Sequence, residues 1–157
     1  MRPAFAIAAA IVLASAVACG GSDDGGLSTV TIVVVDDDGS RAELTVELAR
    51  TSAERSIGLS QRDKLAEDRG MLFVYAEDTE TGFWMKDTFI PLSIAFIGED
   101  GMILDIQDME PLSTELHRPP GPYRYSLEVN QGWFGRNGIE VGDRVELPDA
   151  VADVGGE

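Results

Sequence analysis

At 157 residues, with 28 acidic against 12 basic side chains, a formal net charge of −16 and one cysteine, the chain is strongly anionic and forms no internal disulfide. The charge opposes direct binding to nucleic acid and gives no attraction to anionic lipid. Stability must come from an apolar core, for which the length provides one domain.

Met1-Arg2 places a positive charge ahead of the apolar stretch Ala4 to Val17, which ends in the small residues Ala16-Val17-Ala18. This is the layout of a secretory signal peptide. The run is shorter than the ~20 residues of a membrane span and is followed by Gly and Asp rather than by anchoring Lys or Arg, so residues 1–18 are expected to be removed. Ala16-Val17-Ala18-Cys19 resembles the cleavage box of bacterial lipoproteins, with Ala16 where Leu is usual. The resemblance implies a diacylglycerol on the Cys19 thiol and a protein lipid-anchored to the bacterial membrane, on its periplasmic or cell-surface face. Losing Arg2 with the signal leaves 11 of the 12 basic residues against 28 acidic ones, a net charge of −17. Residues 19–28, rich in Gly and Asp, read as a flexible tether and residues 149–157 as a disordered tail. Between them, residues 29–148 form a single domain.

Thr29 to Val35 is a β-branched run, and Glu43 to Ala49 alternates with Leu44, Val46 and Leu48 on one face; with Asp36-Asp37-Asp38-Gly39-Ser40 between them they predict a β-hairpin. A calcium loop starting at Asp36 would need Gly where Arg41 stands, so the acidic triplet reads as a solvated turn. Thr51-Ser52-Ala53-Glu54 is a capping box that predicts a short helix to about Leu59, with a further turn over Gln61 to Leu65. Gly70 to Tyr75 reads as a buried strand, Phe83-Trp84-Met85 as an apolar strand, and Leu92 to Ile97 with Met102 to Ile106 as a second hairpin about Gly98 to Gly101. Glu110 to Pro122 holds four of the seven prolines and must be irregular. Tyr123 to Val129 alternates, with Tyr125, Leu127 and Val129 opposite Arg124, Ser126 and Glu128; Trp133 to Gly138 predicts a helical turn and Asp143 to Leu147 a closing strand. The count is about seven strands and one or two short helices: an α+β domain that is predominantly antiparallel β.

Ordered along the chain stand Arg55-Ser56-Ile57-Gly58-Leu59, Arg62 and Leu65, Gly70 to Tyr75, Phe83-Trp84-Met85-Lys86-Asp87-Thr88, Ile90-Pro91-Leu92, Ile94 to Ile97, Leu127-Glu128-Val129-Asn130, Gly132-Trp133-Phe134 and Gly138-Ile139. This series resembles the domain-of-unknown-function family 192, an uncharacterised protein family, from about Thr45 to Leu147. The resemblance implies a small, β-rich, barrel-like fold, often exported, without an established activity. Where the family usually has Asn after Trp-Met-Lys, this chain has Asp87, an acid able to pair with Lys86 or to meet a more cationic ligand.

Trp84, Met85, Phe89 and Phe96 read as core. Lys86-Asp87-Thr88 then falls at a strand end beside buried aromatics, and Glu128 and Asn130 share one strand face, so Lys86, Asp87, Thr88, Glu128 and Asn130 form a candidate ligand cleft. Asn130 also suits a turn-forming role. Arg55 and Arg62, seven apart, either present one cationic edge or pair with surface acids. Other chemistries lack their residues. His117 is the sole histidine and stands in the Pro-rich loop, which leaves no typical structural zinc site, and neither a nucleophile elbow nor a phosphate-binding Gly-rich loop appears. No catalytic residue, metal or cofactor is assigned, although paired carboxylates remain open among 28 acids. Two functions follow as expectations. One is a lipid-anchored module of the cell envelope that binds an unknown small ligand or envelope component; the other is a small hydrolase of envelope glycans or peptides working through Asp87 or Glu128.

Overall fold

A computed structural model describes residues 26–152; Cys19, the signal segment and most of the tether lie outside the described residues. Seven strands form one sheet: β1 (Thr29–Val35), β2 (Arg41–Ala49), β3 (Arg69–Thr79), β4 (Leu92–Ile97), β5 (Ile103–Met109), β6 (Tyr123–Asn130) and β7 (Arg144–Glu146). Three short helices accompany them: α1 (Ser52–Ile57), α2 (Trp133–Arg136) and α3 (Asp149–Ala152). The third corrects the expectation of one or two helices, and it also corrects the tail, whose first four residues fold because Val151 is buried in the core.

The sheet order is β5-β4-β6-β3-β2-β1-β7, with every neighbouring pair antiparallel except β2 and β3. That one parallel pair needs a crossover, which α1 and the loop after it supply. The sheet curls into a half-barrel whose outer strands meet at one corner. There the Val145 amide donates to the Gly101 carbonyl at 2.8 Å and the Ile103 amide to the Asp143 carbonyl at 2.8 Å. Both predicted hairpins are present, with β1 paired to β2 from Val35–Arg41 and β4 to β5 around Gly98 to Gly101.

Two apolar layers result. Inside the curl lie Ile32, Val34, Leu44, Val46, Leu48, Leu72, Val74, Leu127 and Val129, joined by Trp133 and Phe134 of α2, whose rings meet each other edge-to-face at 5.4 Å. On the opposite side of β3, β4 and β6 lies a second layer made of Met71, Phe73, Leu92, Ile94 and Phe96, covered by Leu59, Met85 and Ile90. β3 and β4 are therefore buried on both faces, which explains their continuous apolar runs, whereas β1 and β2 expose one face and alternate.

The capping box forms as predicted. Thr51 Oγ1 accepts from the Glu54 amide at 3.2 Å, and the Glu54 carboxylate accepts from the Thr51 and Arg50 amides, both at 2.8 Å; these bonds hold the Glu54 carboxyl below its usual range. The helix ends at Ile57, two residues before the predicted end, with Gly58 as its cap, and Gln61 to Leu65 is irregular rather than another helical turn. Phe83-Trp84-Met85 is no strand: only Phe83 pairs, in a two-residue bridge with His117 of the Pro-rich loop. Extended backbone without a ladder partner leaves this segment free to serve as a wall.

Gly101 has φ +84, and a Cβ there would lie 2.5 Å from the Val145 carbonyl at the seam, whereas Gly39 has φ +85 with nothing within 4 Å. Gly101→Ala is expected to cost about 2–4 kcal/mol and Gly39→Ala about 1 kcal/mol. Urea unfolding of the two variants compares a clash at the seam with backbone strain alone.

Candidate functional site

A cavity of about 350 Å³ opens on the outer side of the second apolar layer, between α1 and the 81–88 loop. Its floor is β3 and β6, which contribute Phe73, Tyr75 and Glu128. One wall is α1 and its exit, with Arg55, Ile57 and Gly58; the other is the loop, with Phe83, Trp84, Lys86 and Thr88.

The loop wall is fixed at many points. The Tyr123 hydroxyl donates to the Thr81 carbonyl at 2.7 Å, Phe83 and His117 exchange amide–carbonyl bonds of 2.8 and 2.7 Å, and the Met85 amide donates to the Ser113 carbonyl at 3.0 Å. His117 itself is held by its Nδ1, 3.0 Å from Gln107 Oε1. Phe83 packs edge-on against Phe73 at 5.0 Å and Phe96 at 6.0 Å. A wall anchored this way is preformed, so a ligand does not have to order it.

Of the five cleft residues read from the sequence, the cavity gathers three: Lys86, Thr88 and Glu128. Asp87 does not line it. Its backbone is left-handed, φ +57, and its carbonyl accepts from the Gln61 amide at 2.8 Å. Asn and Asp are the non-glycine residues that adopt this conformation most readily, so the position calls for a backbone property shared by both rather than for a ligand contact. Asn130 is also outside the cavity. It stands on the same strand face as Glu128, but its amide nitrogen donates to the Leu65 and Ala66 carbonyls, both at 3.0 Å, and pins the 60–68 loop to β6. A role in holding a turn replaces the cleft role.

The core reading of the aromatics divides. Met85 and Phe96 are buried, but Trp84 is 56% exposed at the cavity rim and Phe89 is 50% exposed. Extended backbone alternates, so Phe83 and Met85 point inward and Trp84 outward, with Lys86 Nζ 5.6 Å from its ring centre. The two arginines do not form one edge. Arg62, beyond the end of α1, makes a two-pronged pair with Glu47 at 2.6 and 2.7 Å, while Arg55 lies 4.7 Å over the Tyr75 ring and donates to the Arg50 and Val74 carbonyls. Arg55 enters the site through the helix that the capping box starts, a placement that seven-residue spacing does not convey.

Glu128 is the chemically unusual group. It is 5% exposed, and its carboxyl takes no hydrogen bond or ion pair from any described side chain. Its ladder neighbours on β3 and β4 are Met71 and Ile94. Burial alone pushes its pKa up to about 8, so it is largely protonated at neutral pH and acts as a hydrogen-bond donor. Among the described residues it is the only carboxyl group lining the cavity. Burial likewise raises the Tyr75 and Tyr123 hydroxyls, which stay neutral.

A second depression, about 440 Å³, covers the seam near β7. Its charges are largely satisfied already, by Arg124–Glu99, Arg144–Asp100 and Arg41–Glu146 pairs. No described group of three or more His, Cys, Asp or Glu residues is placed to hold a metal ion, and no described helix is long and apolar enough to cross a membrane.

The family model for DUF192, an uncharacterised ACR, matches residues 33–147. The chain belongs to this family. Two solved structures resemble it across the domain. One is a proposed transcription regulator from Sinorhizobium meliloti 1021, 36% identical, with TM-score 0.76, covering 77% of this chain and 95% of that one. The other is a protein of unknown function from Novosphingobium aromaticivorans DSM 12444, also 36% identical with TM-score 0.76, covering 82% and 91%. No curated protein matches. Family membership thus fixes the fold of this DUF192 domain and leaves its activity to be argued from the cavity.

Because the Glu128 pKa is raised in the folded state, the unfolded chain releases this proton at lower pH, and stability falls as pH rises from about 4.5 to about 8. Glu128→Gln, which keeps the shape without the ionisation, is expected to remove a component approaching about 1.4 kcal/mol per pH unit within that window. Denaturant titrations of both proteins at pH 5, 6.5 and 8 read the difference; parallel profiles would show that Glu128 titrates normally.

Proposed function

We propose that this DUF192 domain is a small-ligand binding module of the bacterial cell envelope, carried by a lipid on Cys19 and holding its ligand between α1 and the 81–88 loop. The observation that carries the reading is the convergence of Lys86, Thr88 and Glu128 on one preformed cavity, beside the aromatic rings of Phe73, Tyr75, Phe83 and Trp84 and the hydroxyls of α1 and its exit. Ligand sites are characteristically apolar concavities with a few convergent polar groups, and a carboxyl buried without a partner is stabilised when a ligand supplies one. The lipid anchor rests on the signal-like segment and on Cys19, the sole cysteine.

The hydrolase reading draws support from Glu128, since an acid catalyst needs a raised carboxyl pKa. Against it stands the solitude of that group. Glycoside hydrolysis of the usual kind needs two carboxyl groups across the bond, and Asp87, the other candidate, lies off the cavity. The transcription-regulator description belongs to the Sinorhizobium protein. A net charge of −16 speaks against direct DNA contact here, because such contacts rest on neutralising phosphates.

Thermal-shift screening with envelope sugars, peptides and small anions is expected to find a stabilising ligand without turnover. The shift should be lost in Lys86→Ala and kept in Lys64→Ala, a substitution outside the cavity. Turnover abolished by Glu128→Gln would move the assignment to the hydrolase. For the anchor, labelled fatty acid is expected in the wild-type protein and not in Cys19→Ser; label in neither would remove the membrane from the proposal.

A further inference from the structure

Resting on the cavity as a binding site, the geometry points to a ligand class: a small oxyanion, carboxylate or phosphate, carried on a flat apolar body, with Glu128 donating a hydrogen bond to the oxyanion and Lys86 supplying the counter-charge.

Three observations carry this. The first is polarity. The cavity's ionisable wall groups are Arg55 from α1, Lys86 from the loop, and Tyr75 and Glu128 from the floor, while the ladder neighbours of Glu128, Met71 and Ile94, are apolar. Arg55 is engaged by the Tyr75 ring and by the Arg50 and Val74 carbonyls, so with Glu128 and Tyr75 neutral the charge left to meet a ligand from the described wall is that of Lys86, positive although the chain as a whole carries −16. A cationic ligand would meet a like charge and would require Glu128 to ionise in a site that disfavours ionisation.

The second is the unmet donor. A protonated carboxyl offers one O–H and has no described acceptor for it. A carboxylate or phosphate oxygen is the strongest acceptor available, because an O–H···O⁻ bond is charge-assisted and runs about 2.5–2.7 Å. A neutral hydroxyl or amide would satisfy the same donor but would leave Lys86 without a counter-charge. The third is shape. Phe73 and Phe83 meet edge-to-face in the wall, and Trp84 presents an exposed ring at the rim, which together suit a planar apolar body.

Protonation of Glu128 is then part of binding. Below its pKa the group donates to the anion; above it, two negative charges meet in one site of low polarity at its floor. Affinity for an oxyanion is expected to fall with pH above about 8, at up to about tenfold per unit for one linked proton.

The test uses benzoate and phenyl phosphate as probes, with benzylamine and benzyl alcohol of similar shape as controls. The chain contains two tryptophans, Trp84 at the rim and Trp133 buried in the other apolar layer, so fluorescence reports the site and Trp84→Phe identifies the source. Titrations at pH 6.5 and pH 9.5 are expected to show one or both oxyanions binding at the lower pH and at least tenfold weaker at the higher. Which of the two binds tells carboxylate from phosphate. Glu128→Gln still offers an N–H donor and is expected to keep binding while losing the pH dependence. Lys86→Ala is expected to weaken binding at both pH values.

Benzylamine or benzyl alcohol binding as well as the oxyanions would overturn the ligand class, as would oxyanion affinity that is equal at the two pH values. Failure of all four probes, in a protein that the wider screen shows to be stabilised by a sugar or peptide, would also overturn it while leaving the binding function intact. Absence of any stabilising ligand would instead remove the binding function itself.

Discussion

Strands β3, β4 and β6 are packed on both faces, and the site exists because of it. A curled antiparallel sheet ordinarily buries its inner face and wets its outer one, as β1 and β2 do here. In the centre of this sheet the outer face is covered by Leu59, Met85 and Ile90, so side chains that strand alternation sends outward are also removed from water. On β6 those side chains are Ser126 and Glu128. The covering is incomplete between α1 and the 81–88 loop, and the gap is the cavity. One constraint thus produces a concavity with aromatic rings in its wall and a carboxyl group with no partner among the described residues.

The cost of this arrangement falls on Glu128, and its benefit on the fixity of the walls. A buried carboxyl that remains protonated disfavours the folded state as the pH rises. The loop opposite is tied by backbone bonds to the Pro-rich segment through His117 and Ser113 and to the α1 exit through Gln61. The Pro-rich segment, read from sequence only as irregular, is therefore the strut of the site. His117 does its work mainly through its backbone, which is why the absence of partner histidines does not diminish it.

Much of the fold was legible because its signals are local. A β-branched run marked β1, alternation marked β2 and β6, the capping box marked the start of α1, and Gly98 to Gly101 marked the β4–β5 hairpin. The errors fall where a partner distant in sequence decided the outcome. Phe83-Trp84-Met85 carries strand-like residues but finds only His117 to pair with, so it became a wall and turned Trp84 outward. Val151 folded residues expected to be tail, because the core offered it a place. In the site, Lys86, Thr88 and Glu128 were identified and brought together. Asp87 and Asn130 were identified as well, but a left-handed backbone and two loop carbonyls claimed them.

The sequence by itself determined most of the elements, the antiparallel and β-rich class, the kinship with DUF192 and the charge that sets the long-range field, since each depends on residue type and spacing along the chain. Tertiary structure alone decided which polar residues face a common space and what protonation state they hold. Sharing a strand face places Glu128 and Asn130 on one side of the sheet; only the covering layer determines that the first is largely buried at the floor of a cavity and the second bonded to a loop. Burial is a property of what lies opposite, and one residue's spacing from the next carries no record of it.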